Sequence, residues 1–305
     1  MPTKRKKPAQ PAKPRWLSIA VIAGVAAAGG ASMFGMVLGV RWVDTRATDI
    51  ASETIPTIDI HFLPVTDAST GSLSTWPPTS EQISIDTTCN DVLEASLKED
   101  QADPLAEISH ALIDSGWVGS VPSVRRGRSN TIEVRADWLL PAAVVRSGAF
   151  DYLISTDARP LPVHYQQGTT QHIAVVGTPA ADDAEALWRV RTGVPQPINE
   201  PSLIEGLGVL EVLRTNTGAD QIVAIDVSSR PRGPVELVTE YGTRIVWGSP
   251  PNTPSPGEVS TEQKLERLAY FAQSHDYGLR IDAGQQRLRV DTQEMLIDPS
   301  ADGSR

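Results

Sequence analysis

One cysteine, Cys89, is all that the 305 residues hold, so no disulfide forms within the chain whatever compartment it occupies. No base and orienting group accompany it as a nucleophile's motif would, and it reads as a small buried apolar residue. Histidine is nearly as scarce. His61, His110, His164, His172 and His275 show no metal-ligand spacing with Cys or with one another. The text contains no HExxH, no GxSxG and no P-loop, and Gly206-Leu-Gly208 lacks the third glycine of a dinucleotide loop. The acidic pairs Asp182-Asp183 and Asp282/Asp291 come without a partner set for acid–base work. The expectation is a protein without catalytic residues, cofactor, metal or small-molecule substrate.

Acid is absent from residues 1–15, which carry six cations (Lys4, Arg5, Lys6, Lys7, Lys13, Arg15). The remainder has 21 cations against 37 acids. A body that acidic repels phosphate backbones, which argues against nucleic acid as a partner. Charge of either sign is missing from Leu17 to Val40, 24 residues rich in Gly and Ala. As a helix this run is about 36 Å long, enough to cross a ~30 Å hydrocarbon core. Trp16 and Trp42 flank it, and the cations precede it. The positive-inside rule then places the N-terminus in the cytoplasm and the bulk outside, as a single-pass type II protein. A cleaved signal peptide is the competing reading, although its apolar core normally spans only ~7–15 residues. Ala27, Ala31, Gly35 and Gly39 fall four apart, and Gly35 to Gly39 matches GxxxG. That stripe is a helix-packing face or a chance product of composition.

Beyond the apolar run, Thr57–Leu63 alternates as a half-buried strand does, and residues 66–82 read as a loop. A short helix is expected over Asn90–Lys98. A second is capped by Asp103, with Pro104 in its first turn and Gly116 at its end. Strands follow at Val118–Val124, broken by Pro122, and at Thr131–Asp137. Trp117 and Val118 read as large apolar groups packed beneath them. After Pro141 the pattern predicts strands at Tyr152–Ser155, Leu161–Tyr165 and His172–Val176. Helices are expected at Asp182–Arg191 and Pro201–Thr215, then strands at Gln221–Val227, Val235–Glu240 and Thr243–Trp247. A Pro-rich loop spans Ser249–Glu258. Ser260 and Gln263 form a capping box for a helix over Lys264–Ser274, and strands are expected at Leu279–Ala283 and Arg287–Asp291.

This order of pieces resembles the FtsQ/DivIB family of bacterial division proteins. The likeness rests on Trp117-Val118, Val124-Arg125-Arg126, Thr131-Ile-Glu-Val134, Pro141-Ala-Ala-Val144, Tyr152 to Asp157, Gly242 to Gly248, Lys264-Leu265 and Gly278 to Gly284. It runs from residue 16 to about 292 and lies in order and spacing rather than in one motif. Trp138-Leu139 stands where the family has Glu-Arg, and Gly278 where it has Asp. The resemblance implies an α+β architecture. A cytoplasmic tail (1–15), a transmembrane helix (16–42) and a linker (43–54) precede a small POTRA-like domain (55–142). A mixed β domain with flanking helices (143–298) and a C-terminal tail (299–305) follow. It implies a scaffold in the cell inner membrane at the division septum, linking early and late septal proteins.

The residues and the family suggest the same candidate surfaces. A terminal strand often forms a sheet edge, where a partner strand can add. The family receives its FtsB (DivIC) partner at this C-terminal region, with FtsL alongside. Carried over, the candidates are Tyr277, Leu279, Arg280, Ile281, Asp282, Leu288 and Val290. Leu279 and Ile281 also read as core residues, whereas Arg280 and Tyr277 suit an interface. Arg125, Arg126 and Arg128 cluster at a turn. They are either a solvated loop or a contact with an acidic partner or membrane lipid. Two other readings compete: a different POTRA-containing envelope or secretion-associated protein, and a membrane-anchored exported enzyme of unrecognised type.

Overall fold

The computed structural model describes residues 55–66, 73–98, 103–182, 184–188 and 193–298. The expected basic tail, the apolar segment with Ala27, Ala31, Gly35 and Gly39, the linker and the C-terminal tail lie outside them. No helix among the described residues is long and apolar enough to cross a membrane. The chain separates into two units, Met1–Thr57 and Ile58–Arg305. Of the first, only residues 55–57 are described.

The second unit is α+β. It begins with β1 (Thr57–Ile60) and an antiparallel pair, β2 (Leu63–Thr66) and β3 (Leu73–Trp76). Two helices follow, α1 (Thr79–Lys98) and α2 (Pro104–Asp114), then the antiparallel strands β4 (Val118–Arg126) and β5 (Thr131–Trp138). The sheet order is β1-β5-β4. In α1, Ile85, Cys89, Leu93 and Ser96 recur at helical spacing and are buried. Its Thr and Asn residues, poor helix formers, bond back into the helix: Thr87 and Thr88 donate to the carbonyls of Ile83 and Ser84, and Asn90 to that of Asp86. Asp103 caps α2 by accepting from the Leu105 amide, as expected. Trp117 and Val118 are buried, also as expected. Pro122 is tolerated because β4 is an edge strand whose register shifts between Ser120 and Ser123.

A nine-stranded sheet forms the rest. Its strands are β6 (Pro141–Ser147), β7 (Phe150–Ser155), β8 (Pro160–Gln166), β9 (Ala174–Val176), β10 (Ile222–Asp226), β11 (Val235–Thr239), β12 (Arg244–Gly248), β13 (Arg287–Arg289) and β14 (Leu296–Asp298). The order is β14-β13-β12-β11-β10-β9-β6-β7-β8. Three helices intervene: α3 (Ala184–Leu187), α4 (Pro201–Leu213) and α5 (Thr261–Gln273). The parallel pairs β6–β9, β9–β10 and β12–β13 are each joined through intervening chain, whereas β6–β7, β7–β8, β10–β11, β11–β12 and β13–β14 pair antiparallel.

Leu203, Val209, Leu210 and Leu213 of α4, with Leu268 and Phe271 of α5, cluster with Ile154, Val175, Ile225, Leu237, Ile245 and Trp247 of the large sheet. Val144, Leu153, Leu161, Ala174 and Ala224 join a separate cluster with Ile60, Cys89, Leu93, Ile108, Leu112, Trp117 and Val134. Alternation along the strands divides the two sets. The second cluster continues without a break across position 142.

Three expectations need correction. Residues 73–76 are a strand and Thr79 already starts a helix, where a loop was expected over 66–82. The described part of the helix expected at Asp182–Arg191 is only Ala184–Leu187. Leu279–Ala283 is a series of turns, not a strand. Leu279 and Ala283 have φ of 59° and 49°, a left-handed backbone that no ladder accommodates.

Candidate functional site

The C-terminal corner holds most of the candidate residues. Ser260 and Gln263 form the capping box that starts α5. At its other end Phe271 packs edge-on against Tyr277 with ring centres 4.9 Å apart. Gly278 (φ 65°) and Leu279 then reverse the chain. Gln221, in the turn just before β10, fixes the reversal: its Nε2 donates to the Leu279 carbonyl (2.9 Å) and its Oε1 accepts from the Ile281 amide (3.0 Å). Asp282 is fully buried and accepts from Arg280 Nε (3.1 Å) and Nη2 (3.0 Å), the Gln285 amide (3.0 Å) and Thr239 Oγ1 (3.2 Å). The Arg280 guanidinium lies over the Tyr241 ring. Burial pushes the Asp282 carboxyl up, but the bonds from Arg280 and Gln285 outweigh it and hold the group below its usual range. Ile281, Asp282, Leu288 and Val290 are thus interior residues. Leu279 is 42% exposed, and Tyr277 and Arg280 are half-buried, so of the candidates the corner shows outside Leu279 and parts of Tyr277 and Arg280.

The terminal strand expected to be the edge is not the edge. β13 lies between β12 and β14. The Val290 amide donates to the Val246 carbonyl at 3.1 Å, so the alternation of the ladder turns Leu288 toward β12 and Arg287 and Arg289 toward β14. Arg289 pairs with Leu296 and Arg287 with Asp298. The N–H and C=O of Ile297 therefore point away from the sheet. Arg267 of α5 holds this edge in place by donating to the carbonyls of Val290 (2.8 Å), Thr292 (2.6 Å) and Gln293 (3.0 Å). Sequence reasoning missed both β14 and Arg267. A three-residue strand is too short to show a period, and one arginine on an amphipathic helix carries no signal of its own.

The opposite edge is β8. The Gln167 amide donates to Ala149 and the Ser155 amide to Arg159, so residues 161, 163 and 165 face β7. Pro160 and Pro162 fall at the outward positions and bring no donor. Half of this edge is closed to strand addition.

The arginine cluster sits at the β4–β5 turn. Arg125 pairs with Glu133 at 2.6 Å, while Arg126 and Arg128 are exposed. Glu133 is held below its usual range by Arg125. Cys89 is buried, and burial with nearby Asp86 pushes its thiol up to about 12, where no thiolate forms at neutral pH. No three of His, Cys, Asp and Glu converge to hold a metal among the described residues. Grooves of ≈ 370 Å³ beside Trp188 and ≈ 630 Å³ beside Ile204 are open and bring no perturbed acid–base pair together. No family model matches the chain, and no curated protein matches it.

Proposed function

We propose that the chain is a single-pass membrane scaffold of the bacterial division machinery, performing no reaction and working through its exported surfaces. In this reading 16–42 is a type II anchor in the inner membrane, 55–142 is a POTRA-like domain and 143–298 the β domain. Partners are the FtsB/DivIC-like and FtsL-like membrane proteins at the septum. The strand–helix–helix–strand–strand order with sheet order β1-β5-β4, followed by a β-rich part, supports it. The single observation that carries the binding mode is the pair of sheet edges. One is blunted by Pro160 and Pro162, and the other leaves the Ile297 backbone open to an added strand.

The test is Ile297→Pro in the full-length chain. It removes the outward N–H without removing a bond to β13. Circular dichroism stays native, and pulldown from membranes loses the division partners. Undiminished recovery of every partner removes the edge from the proposal. A fluorescent fusion spread evenly over the envelope, with no midcell band, removes the division role.

A further inference from the structure

The direction of β1 places the arginine turn. The His61 amide donates to the Val134 carbonyl (3.2 Å) and Trp138 Nε1 to the His61 carbonyl (3.0 Å). The end of β1 thus lies beside the second half of β5, and the two strands run the same way. Ile58, where the chain enters this unit, lies at the same end of the sheet as Thr131 and the β4–β5 turn. That turn is preset. The Gly127 amide donates to Thr131 (2.8 Å), Thr131 Oγ1 donates to the Arg128 carbonyl (2.7 Å), and Ser129 and Asn130 are left-handed, with φ of 58° and 59°. A fixed turn holds its side chains without ordering them anew on binding. Arg125 is held by Glu133, but neither Arg126 nor Arg128 is ion-paired with an acid of the described residues.

We propose that Arg126 and Arg128, supported by Arg125, bind the phosphate headgroups of anionic phospholipid in the membrane that carries residues 17–40. The inference rests on the membrane reading given above. From Val40 to Ile58 the chain is 18 residues long and reaches at most about 60 Å, so the turn stays within reach of the surface. Guanidinium suits phosphate because it offers forked donors and stays charged. Outside residues 1–15 acids outnumber cations 37 to 21, so an anionic surface repels most of the body. The end bearing unpaired arginines is the one such a surface accepts within its screening length of about 8 Å.

The experiment places the full chain in nanodiscs of phosphatidylcholine alone or with phosphatidylglycerol and follows amide exchange over residues 126–131. Exchange slows several-fold with phosphatidylglycerol. The protection disappears with Arg126→Glu/Arg128→Glu and survives Arg126→Lys/Arg128→Lys, which keeps the charge. Thermal melting of both variants excludes misfolding as the cause. Equal exchange in both lipids, with the chain resistant to carbonate extraction, overturns the lipid contact and leaves the turn to a protein partner. Protection by inorganic phosphate in phosphatidylcholine discs overturns it in favour of a free anion site. A chain that carbonate extracts overturns the anchor and this proposal together.

Discussion

The guanidinium of Arg280 lies 3.4 Å above the centre of the Tyr241 ring while its edge grips the carboxylate of Asp282. One side chain therefore fastens the turn after α5 to the β11–β12 hairpin. Arg280→Ala strands a fully buried carboxylate. Losing one member of a buried pair costs about 3–5 kcal/mol, and the amide and hydroxyl donors that remain favour the lower figure. Thermal denaturation should show Tm lowered by roughly 6–12 °C.

The same pair sets an acid limit. Asp282 and Asp226 are each pushed up by burial and pulled further down by hydrogen bonds, Asp226 chiefly from Ser228 and Arg244. A carboxyl with a folded pKa below its unfolded value of about 3.9 contributes full stability above that value. The contribution is lost as pH falls through the folded pKa. Tm should hold level at neutral pH and drop below about pH 4, and the drop should be shallower in Arg280→Ala.

Two glycines separate conformational cost from crowding. Gly218 has φ 88°, and a Cβ there would lie 2.5 Å from Ile281 Cγ2 and 2.9 Å from Ala272 Cβ. Gly242, in the β11–β12 turn, has φ 79° and open space around it. Gly242→Ala should cost about 1–2 kcal/mol, the left-handed backbone alone. Gly218→Ala should cost a further 1–3 kcal/mol or so from overpacking. Denaturant midpoints of the two variants measure the difference.

Pro160 and Pro162 predict a gain rather than a loss. Replacing both by Thr supplies outward N–H groups along β8. The double variant should self-associate more than the parent at equal concentration, read by light scattering.

Arg267→Ala frees three carbonyls around the β13–β14 connection. Bonds to a charged donor contribute about 1.5–3 kcal/mol each in favourable cases. Amide exchange at 287–298 should accelerate, while β4 and β5 keep their protection.

Much of this fold was legible because periodicity and caps act locally. Asp103, the capping box at Ser260, and the hairpin over Tyr241-Gly242 appear where the residues place them. α1 was hidden at its start because Thr, Ser and Asn favour loops. Burial of Ile85, Cys89 and Leu93 overrides that propensity. Leu279 to Ala283 alternates like a strand, yet Gln221 and Asp282, 58 and three residues away from the bonds they fix, hold it as turns. The candidate surface was legible only as a region. Which strand is outermost depends on β14, whose three residues pair with β13 and announce nothing by themselves.

The apolar cluster that joins Cys89 and Trp117 to Val144 and Leu161 leaves no soft joint in the middle of the unit. Swinging one half against the other would wet side chains from both. The described body from β1 to β14 is therefore a strut and not a hinge. A load applied at its first strand and one applied at its last would act on the same packed body.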